Sequence, residues 1–65
     1  MNERERIINI LMKRDGLTKK EAIDTLVDCM SQVNDAIENG QWWIAEEIFE
    51  DYTGLEPDYL INLLI

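Results

Sequence analysis

Three glycines divide this chain into four segments, and within each segment the apolar residues recur at helical spacing. Asp15-Gly16 and Asn39-Gly40 are dipeptides typical of helix ends, and Gly54 suits the left-handed position that follows a helix. No segment alternates apolar and polar residues over the length of a strand. The sequence therefore predicts an all-α fold, a small bundle of three to four helices in one domain spanning residues 1–65, with helices at about 3–14, 19–39, 41–52 and 57–64.

Local signals support the helix starts. Asn2 precedes Glu5 by three residues, the N-x-x-E form of a helix start, and Thr18 and Glu21 have the spacing of a capping box. Pro57 fixes a favourable backbone angle at the first position of the last helix.

The length and the cysteine content limit how the fold is stabilised. A chain of 65 residues buries only about 60 % of the surface that its unfolded form exposes. Cys29 is the single cysteine and there is no histidine, so we expect no internal disulfide, no metal site and no cofactor. Helix packing and self-association remain as sources of stability.

The same features bear on location. A single reduced thiol, together with an amino terminus lacking the apolar stretch of a signal peptide, predicts a cytoplasmic protein. No apolar run approaches the roughly 18 residues that cross a bilayer, so we expect no membrane association.

Charge is strongly segregated along the chain. Residues 1–20 contain all six basic side chains and three acidic ones, whereas residues 21–65 contain eleven acidic side chains and none that is basic, for a net charge of −8. Such a field repels nucleic acid and attracts basic surfaces.

The second predicted helix has an apolar arc and an acidic arc on opposite sides. Positions 23, 26, 30, 33 and 37 keep a spacing of about 3.5 residues, which predicts packing against the first helix or a second copy of the chain. Asn34 falls within the arc, where a buried amide would need a partner or would mark the edge of an interface. The apolar arc comprises Ile23, Leu26, Val27, Met30, Val33 and Ile37, bordered by Ala22, Cys29 and Ala36.

The third predicted helix also divides into a core side and an acidic side. Trp43 projects onto the acidic side, where it either anchors a partner or covers the junction between the first and third helices. The core side comprises Trp42, Ile44, Ala45, Ile48, Phe49 and Tyr52.

Two surfaces are candidates for binding. The first is acidic, and its alternative role is to keep the protein in solution. The second is the apolar last helix, which a monomer can bury only in part, so that a homodimer is expected. The predicted partner-binding residues are Asp24, Asp28, Asp35, Glu38, Trp43, Glu46, Glu47 and Glu50, and the predicted self-association residues are Leu60, Ile61, Leu63 and Leu64.

Catalysis and direct nucleic-acid binding are not expected. The chain has no histidine, no glycine-rich phosphate loop and no serine in a nucleophile elbow, and Cys29 lies beside a core stripe. Asp24 and Asp28 alone make a weak cation site because carbonyl ligands are missing. Lys19 and Lys20 open a helix after a glycine turn, as in a helix-turn-helix, but the eleven acids repel a duplex.

Two resemblances add context. The opening thirty residues, which include GLTKKEA, resemble the helical hairpin of HU-type histone-like proteins, a dimerisation element, although QWWIAEEIFEDYTG replaces the sheet and basic arms of that family. Through ILMKRDGLTKKEA and DYTGLEPDYL, nearly the whole chain resembles short acidic proteins of bacteriophages and mobile elements in Gram-positive bacteria. The second resemblance implies that the protein acts in the cytoplasm of a host cell. It also implies that the protein inhibits a host factor or defence system, as anti-CRISPR proteins that imitate nucleic acid do.

From the charge pattern and this resemblance we expect a non-enzymatic protein that blocks a basic surface of a host protein, for example an RNA-guided nuclease. The alternative is a homo-oligomeric accessory, assembly or transcription-regulating protein whose acidic face only confers solubility.

Overall fold

The computed structural model describes residues 2–65, and within this range the chain forms four helices and no strand. They are α1 (Glu3–Asp15), α2 (Lys19–Glu38), α3 (Trp42–Thr53) and α4 (Pro57–Leu64). The predicted all-α bundle is confirmed. α2 makes its most extensive contacts with α3 and also packs on α1, and α4 contacts both α1 and α3. The bundle measures 33 × 19 × 15 Å.

The helix boundaries follow the predicted capping signals. Asn2 Oδ1 accepts a hydrogen bond of 2.8 Å from the backbone N–H of Glu5. At the start of α2, the Glu21 N–H donates to Thr18 Oγ1 at 3.1 Å, and the Thr18 N–H donates to Glu21 Oε1 at 2.9 Å, which completes the capping box. Gly16 ends α1 with φ of 68°.

The core seam of α2 is displaced from the predicted one. The buried line comprises Ala22, Leu26, Cys29, Val33 and Ala36. It keeps the spacing of a coiled-coil seam and shares positions 26 and 33 with the predicted seam. At its other three positions the buried residue comes one residue before the predicted one. Ala22, Cys29 and Ala36 are small and let the neighbouring helices approach α2 closely. The larger side chains Ile23, Met30 and Ile37 are only half-buried at its edge.

Three other residues differ from the prediction. Val27, expected in the apolar arc, is 53 % exposed because the buried line of α2 lies on the side of Ala22 and Cys29 rather than on the side of Val27. Asn34 is exposed, which excludes a buried amide and leaves the edge of an interface as the predicted alternative. Trp42, expected on the core side of α3, is 39 % exposed because it lies at the very start of that helix, next to the turn.

α4 closes the bundle through a single fully buried residue, Leu60. The prediction that Leu60 takes part in self-association is therefore wrong, because its side chain is fully buried in the core of its own chain. Leu63 packs partly against the same core. Ile61 and Leu64 are each 40 % exposed and remain available to a partner.

One buried polar side chain, Thr53, is satisfied locally. Its hydroxyl donates to the Phe49 carbonyl at 2.7 Å and accepts from the Leu55 N–H at 3.1 Å. These two bonds join the end of α3 to the turn that leads into α4.

Across residues 2–65, every helix is too short or too polar to cross a bilayer.

Candidate interaction surface

The outer face of α3 presents an exposed tryptophan among carboxylates. Trp43 is 62 % exposed, so it does not cover the junction between α1 and α3. Glu46 and Glu47 follow it by three and four residues and Glu50 by seven, the spacing of neighbours on one helix face. Glu47 and Glu50 are exposed and Glu46 is half-buried. α3 thus presents an aromatic ring with carboxylates on the following two turns.

The outer face of α2 is also acidic. Asp24, Asp28 and Asp35 are all exposed, at intervals of four and seven residues, and so lie on one face of the helix. Glu38 is exposed at the end of α2. The structure therefore places the seven predicted carboxylates on the outer faces of two helices that pack against each other.

A hydrogen bond between side chains marks where these two helices meet at the surface. Gln32 Nε2 on α2 donates to the Tyr52 hydroxyl on α3. Asp28 and Asp35 lie four residues before and three residues after Gln32, so they share its side of the helix. The acidic face of α2 therefore borders the junction with α3.

The basic residues leave most of this surface uncompensated. Within residues 2–65 the ion pairs are Arg6 with Glu3 at 3.4 Å, Arg14 with Asp15 at 2.8 Å and Lys20 with Asp24 at 2.9 Å. Among the predicted carboxylates, all of which lie in this described range, only Asp24 is paired with a cation. Its hydrogen bond raises the pKa of Lys20.

The acids are also placed against the helix dipoles. No basic residue lies in the last turn of α2 or of α3, whereas Asp35 and Glu38 lie in the last turn of α2, and Glu50 and Asp51 in that of α3. Carboxylates at the negative end of a helix cost about 0.3–1 kcal/mol each. Their positions are therefore unfavourable for helix stability.

Two further acids join the surface at the α3–α4 turn. Glu50, Asp51 and Glu56 line an open depression of about 460 Å³. The turn at Gly54 brings the end of α3 next to the start of α4, and an added Cβ at Gly54 would lie 3.1 Å from Arg14 Nη1. Asp51 and Glu56 are absent from the predicted site. The turn signals at Gly54 and Pro57 show that the chain reverses here, but not which side chains meet.

Among the described residues, the potential metal ligands are carboxylates and the thiol of Cys29. Within residues 2–65, no group of carboxylates and cysteine is close enough to hold a metal ion. Cys29 is fully buried, and desolvation raises the pKa of its thiol to about 11. What the surface presents to solvent is uncompensated carboxylates and the ring of Trp43.

Comparison of the chain with protein-family models, curated proteins and solved structures found no match.

Proposed function

We propose that this protein is a non-enzymatic inhibitor that binds and occludes a basic, nucleic-acid-binding surface on a host protein. The observation that carries the proposal is a set of unpaired carboxylates on the outer faces of two adjacent helices, with the exposed ring of Trp43 among those of α3. Its components on α3 are Glu46, Glu47 and Glu50 on the face of Trp43, and its components on α2 are Asp28, Asp35 and Glu38, with Asp24 paired to Lys20.

Charge gives this surface its preference for partners. From residue 21 onward the chain carries eleven acidic and no basic side chains, so the field around α2 and α3 attracts a cationic partner and repels nucleic acid. Complementary charge mainly raises the association rate and excludes unsuitable partners. A surface that normally binds phosphates is the kind of partner that such a row of carboxylates fits.

Trp43 supplies what charge alone does not. A tryptophan exposed over 62 % of its surface contributes little to the fold, but its large rigid ring can be buried on binding. Aromatic anchors of this kind are enriched among interface residues whose truncation costs about 2 kcal/mol or more. We therefore assign Trp43 the anchoring role and the surrounding carboxylates the steering role.

The resemblance to small acidic phage proteins supports the host-directed context of this proposal. An RNA-guided nuclease is one host protein whose nucleic-acid channel has the required basic surface. Binding of the acidic protein in that channel would exclude the nucleic acid by direct competition.

The test compares captured partners from host lysate between matched baits. The surface variant carries Asp28→Lys and Glu47→Lys, and the control carries Glu5→Lys and Asp58→Lys, so both raise the net charge by the same amount. We expect the control to retain a nucleic-acid-binding partner that the surface variant and Trp43→Ala lose. Added nucleic acid should compete for that partner.

Salt provides the second readout. Binding through this surface should weaken steeply as ionic strength rises from about 0.05 to 0.15 M, because exposed charges are then screened. Retention of the partner by the surface variant, or binding that is insensitive to salt, would show that charge mimicry is wrong.

A homo-oligomeric accessory or assembly protein is the second candidate. It is favoured by the exposed apolar side chains Val27, Ile61 and Leu64, which the acidic surface does not use. Under this alternative the surface variant assembles and acts like the wild type.

A further inference from the structure

α2 carries a second apolar line beside its core seam. Ile23, Val27, Met30, Asn34 and Ile37 recur at intervals of four and three residues, which is the spacing of a coiled-coil seam. Val27 is 53 % exposed, and Ile23, Met30 and Ile37 are half-buried. The core uses the line from Ala22 to Ala36, so this neighbouring line, called here the α2 stripe, is left partly uncovered.

The α2 stripe forms one wall of an open groove. The groove encloses about 340 Å³, and Leu63 of α4 and Arg4 of α1 lie on its other side. Val27, Met30 and Asn34 belong both to the stripe and to the groove lining. Apolar side chains of α2 and α4 therefore line the groove from both sides.

We propose that the α2 stripe pairs with the α2 stripe of a second copy of this chain, antiparallel and centred on Met30. In that register Ile23 lies opposite Ile37 of the second copy, and Met30 lies opposite its own equivalent. The line is thus complementary to itself, as a two-fold interface requires. One polar residue, Asn34, interrupts the line, and in this register it lies beside Val27 of the second copy rather than opposite its own equivalent.

Complementary charges at the edge of the α2 stripe favour a second copy of this chain as the binding partner of the stripe. Lys20 and Glu38 are exposed on the same flank, near opposite ends of α2. Antiparallel pairing brings Lys20 of each copy next to Glu38 of the other, twice by symmetry. Lys20 already bonds to Asp24 in its own chain, but an ammonium group has three donors and can bind both carboxylates.

One residue of the acidic surface, Glu38, takes part in this pairing, and the aspartates of α2 do not oppose it. At 3.6 residues per turn, Asp28 and Asp35 lie about 120–140° around α2 from the stripe, so they stay in solvent. Although Glu38 belongs to both surfaces, dimerisation is measured without any binding partner, so its failure and the failure of the proposed function are distinguishable.

The first test exchanges charges between copies. Sedimentation equilibrium should show the wild type dimerising between about 10 μM and 1 mM, in the weak range of protein association. Lys20→Glu and Glu38→Lys each place like charges across the seam, and each alone should dimerise about tenfold more weakly. An equimolar mixture of the two should recover dimers, since in the mixed dimer each carboxylate at these positions faces an ammonium group of the other copy. A wild type that stays monomeric, or a mixture that recovers no dimer, overturns the proposal.

The second test fixes the register. Met30→Cys places a thiol on the two-fold axis, and mild oxidation should give a covalent dimer. Asp28→Cys is the matched control on the solvent face and should stay monomeric under the same conditions. Cys29 is buried and does not contribute, as the wild type will show. A dimer in which Met30→Cys fails to cross-link, or in which Asp28→Cys links equally well, overturns the α2 pairing.

Discussion

Reversing an acidic charge at the end of α2 should stabilise the fold while weakening the proposed interaction. Asp35 and Asp28 are a matched pair: both are exposed aspartates on one face of α2, seven residues apart. Asp35 lies in the last turn of the helix and Asp28 lies near its middle. The same change, Asp→Lys, at each position therefore differs mainly in its interaction with the helix dipole.

The expected size follows from this position. Asp35→Lys removes a repulsion of about 0.3–1 kcal/mol at the negative end of α2 and adds an attraction of similar size. Asp28→Lys changes the net charge by the same amount but acts away from either helix end. We therefore expect Asp35→Lys to be more stable than Asp28→Lys by about 1 kcal/mol, which corresponds to roughly 4–8 °C in Tm for a domain of this size.

Thermal melts followed by far-UV circular dichroism measure this difference directly. The gap in Tm should be largest at low ionic strength and should shrink in about 1 M salt, where the Debye length is near 3 Å. Both variants should bind the captured partner more weakly than the wild type, so the binding defect cannot be attributed to unfolding. Equal Tm values, or a higher Tm for Asp28→Lys, would refute the dipole argument.

Three further predictions concern single residues. The capping hydrogen bonds from Thr18 lower the pKa of Glu21, so the charged carboxylate stabilises the fold above its unfolded pKa of about 4.5, and this contribution is lost as the pH falls. The stability gap between wild type and Glu21→Gln, which keeps the hydrogen bond but not the charge, should therefore close between pH 7 and about pH 3 in urea titrations; a constant gap would contradict this. Burial raises the pKa of Cys29 from 9.0 to about 11, so the free energy of unfolding should fall as the pH rises through that interval. At neutral pH a thiol reagent should label Cys29 only as fast as the protein unfolds locally or globally. Rapid labelling would show that the thiol is accessible in the native state. Gly54→Ala and Gly16→Ala are a matched pair, since each glycine has φ of 68° and each change should cost about 1 kcal/mol. Only at Gly54 does the new Cβ approach a guanidinium, at 3.1 Å from Arg14 Nη1, so its urea midpoint should fall further, and equal midpoints would show that Arg14 moves aside freely.

The helices were predictable because their signals are local. Asn2, Thr18 and Glu21 cap backbone groups within four residues of themselves, and glycine with positive φ ends a helix wherever the chain must turn. Which line of α2 residues is buried in the core depends instead on contacts between helices. Both the predicted and the observed lines of α2 have coiled-coil spacing, and the observed one buries the small side chains Cys29 and Ala36 in the bundle.

The candidate surface was predictable to a similar extent. The absence of basic residues after Lys20 fixes the sign of the charge on α2 and α3, and helix periodicity places Asp28, Asp35 and Glu47 on outer faces. The sequence did not decide whether Trp43 is exposed, because a tryptophan at this position of α3 can either cover the junction with α1 or point into solvent. Only tertiary packing decides between these, and it leaves the ring exposed.

The three sides of α2 would allow so small a chain to combine the proposed self-association with a charged surface. One side is the core seam, one is the acidic face that contains Asp28 and Asp35, and one is the α2 stripe through Val27 and Met30. Pairing through the stripe would bury apolar surface that a domain of 65 residues cannot cover by itself. The same pairing would hold two acidic faces in one particle, and a partner with two adjacent basic sites would then bind with an avidity that neither copy achieves alone. Loss of the stripe should therefore weaken partner binding only when the partner offers two sites, whereas loss of the acidic face should abolish it in either case.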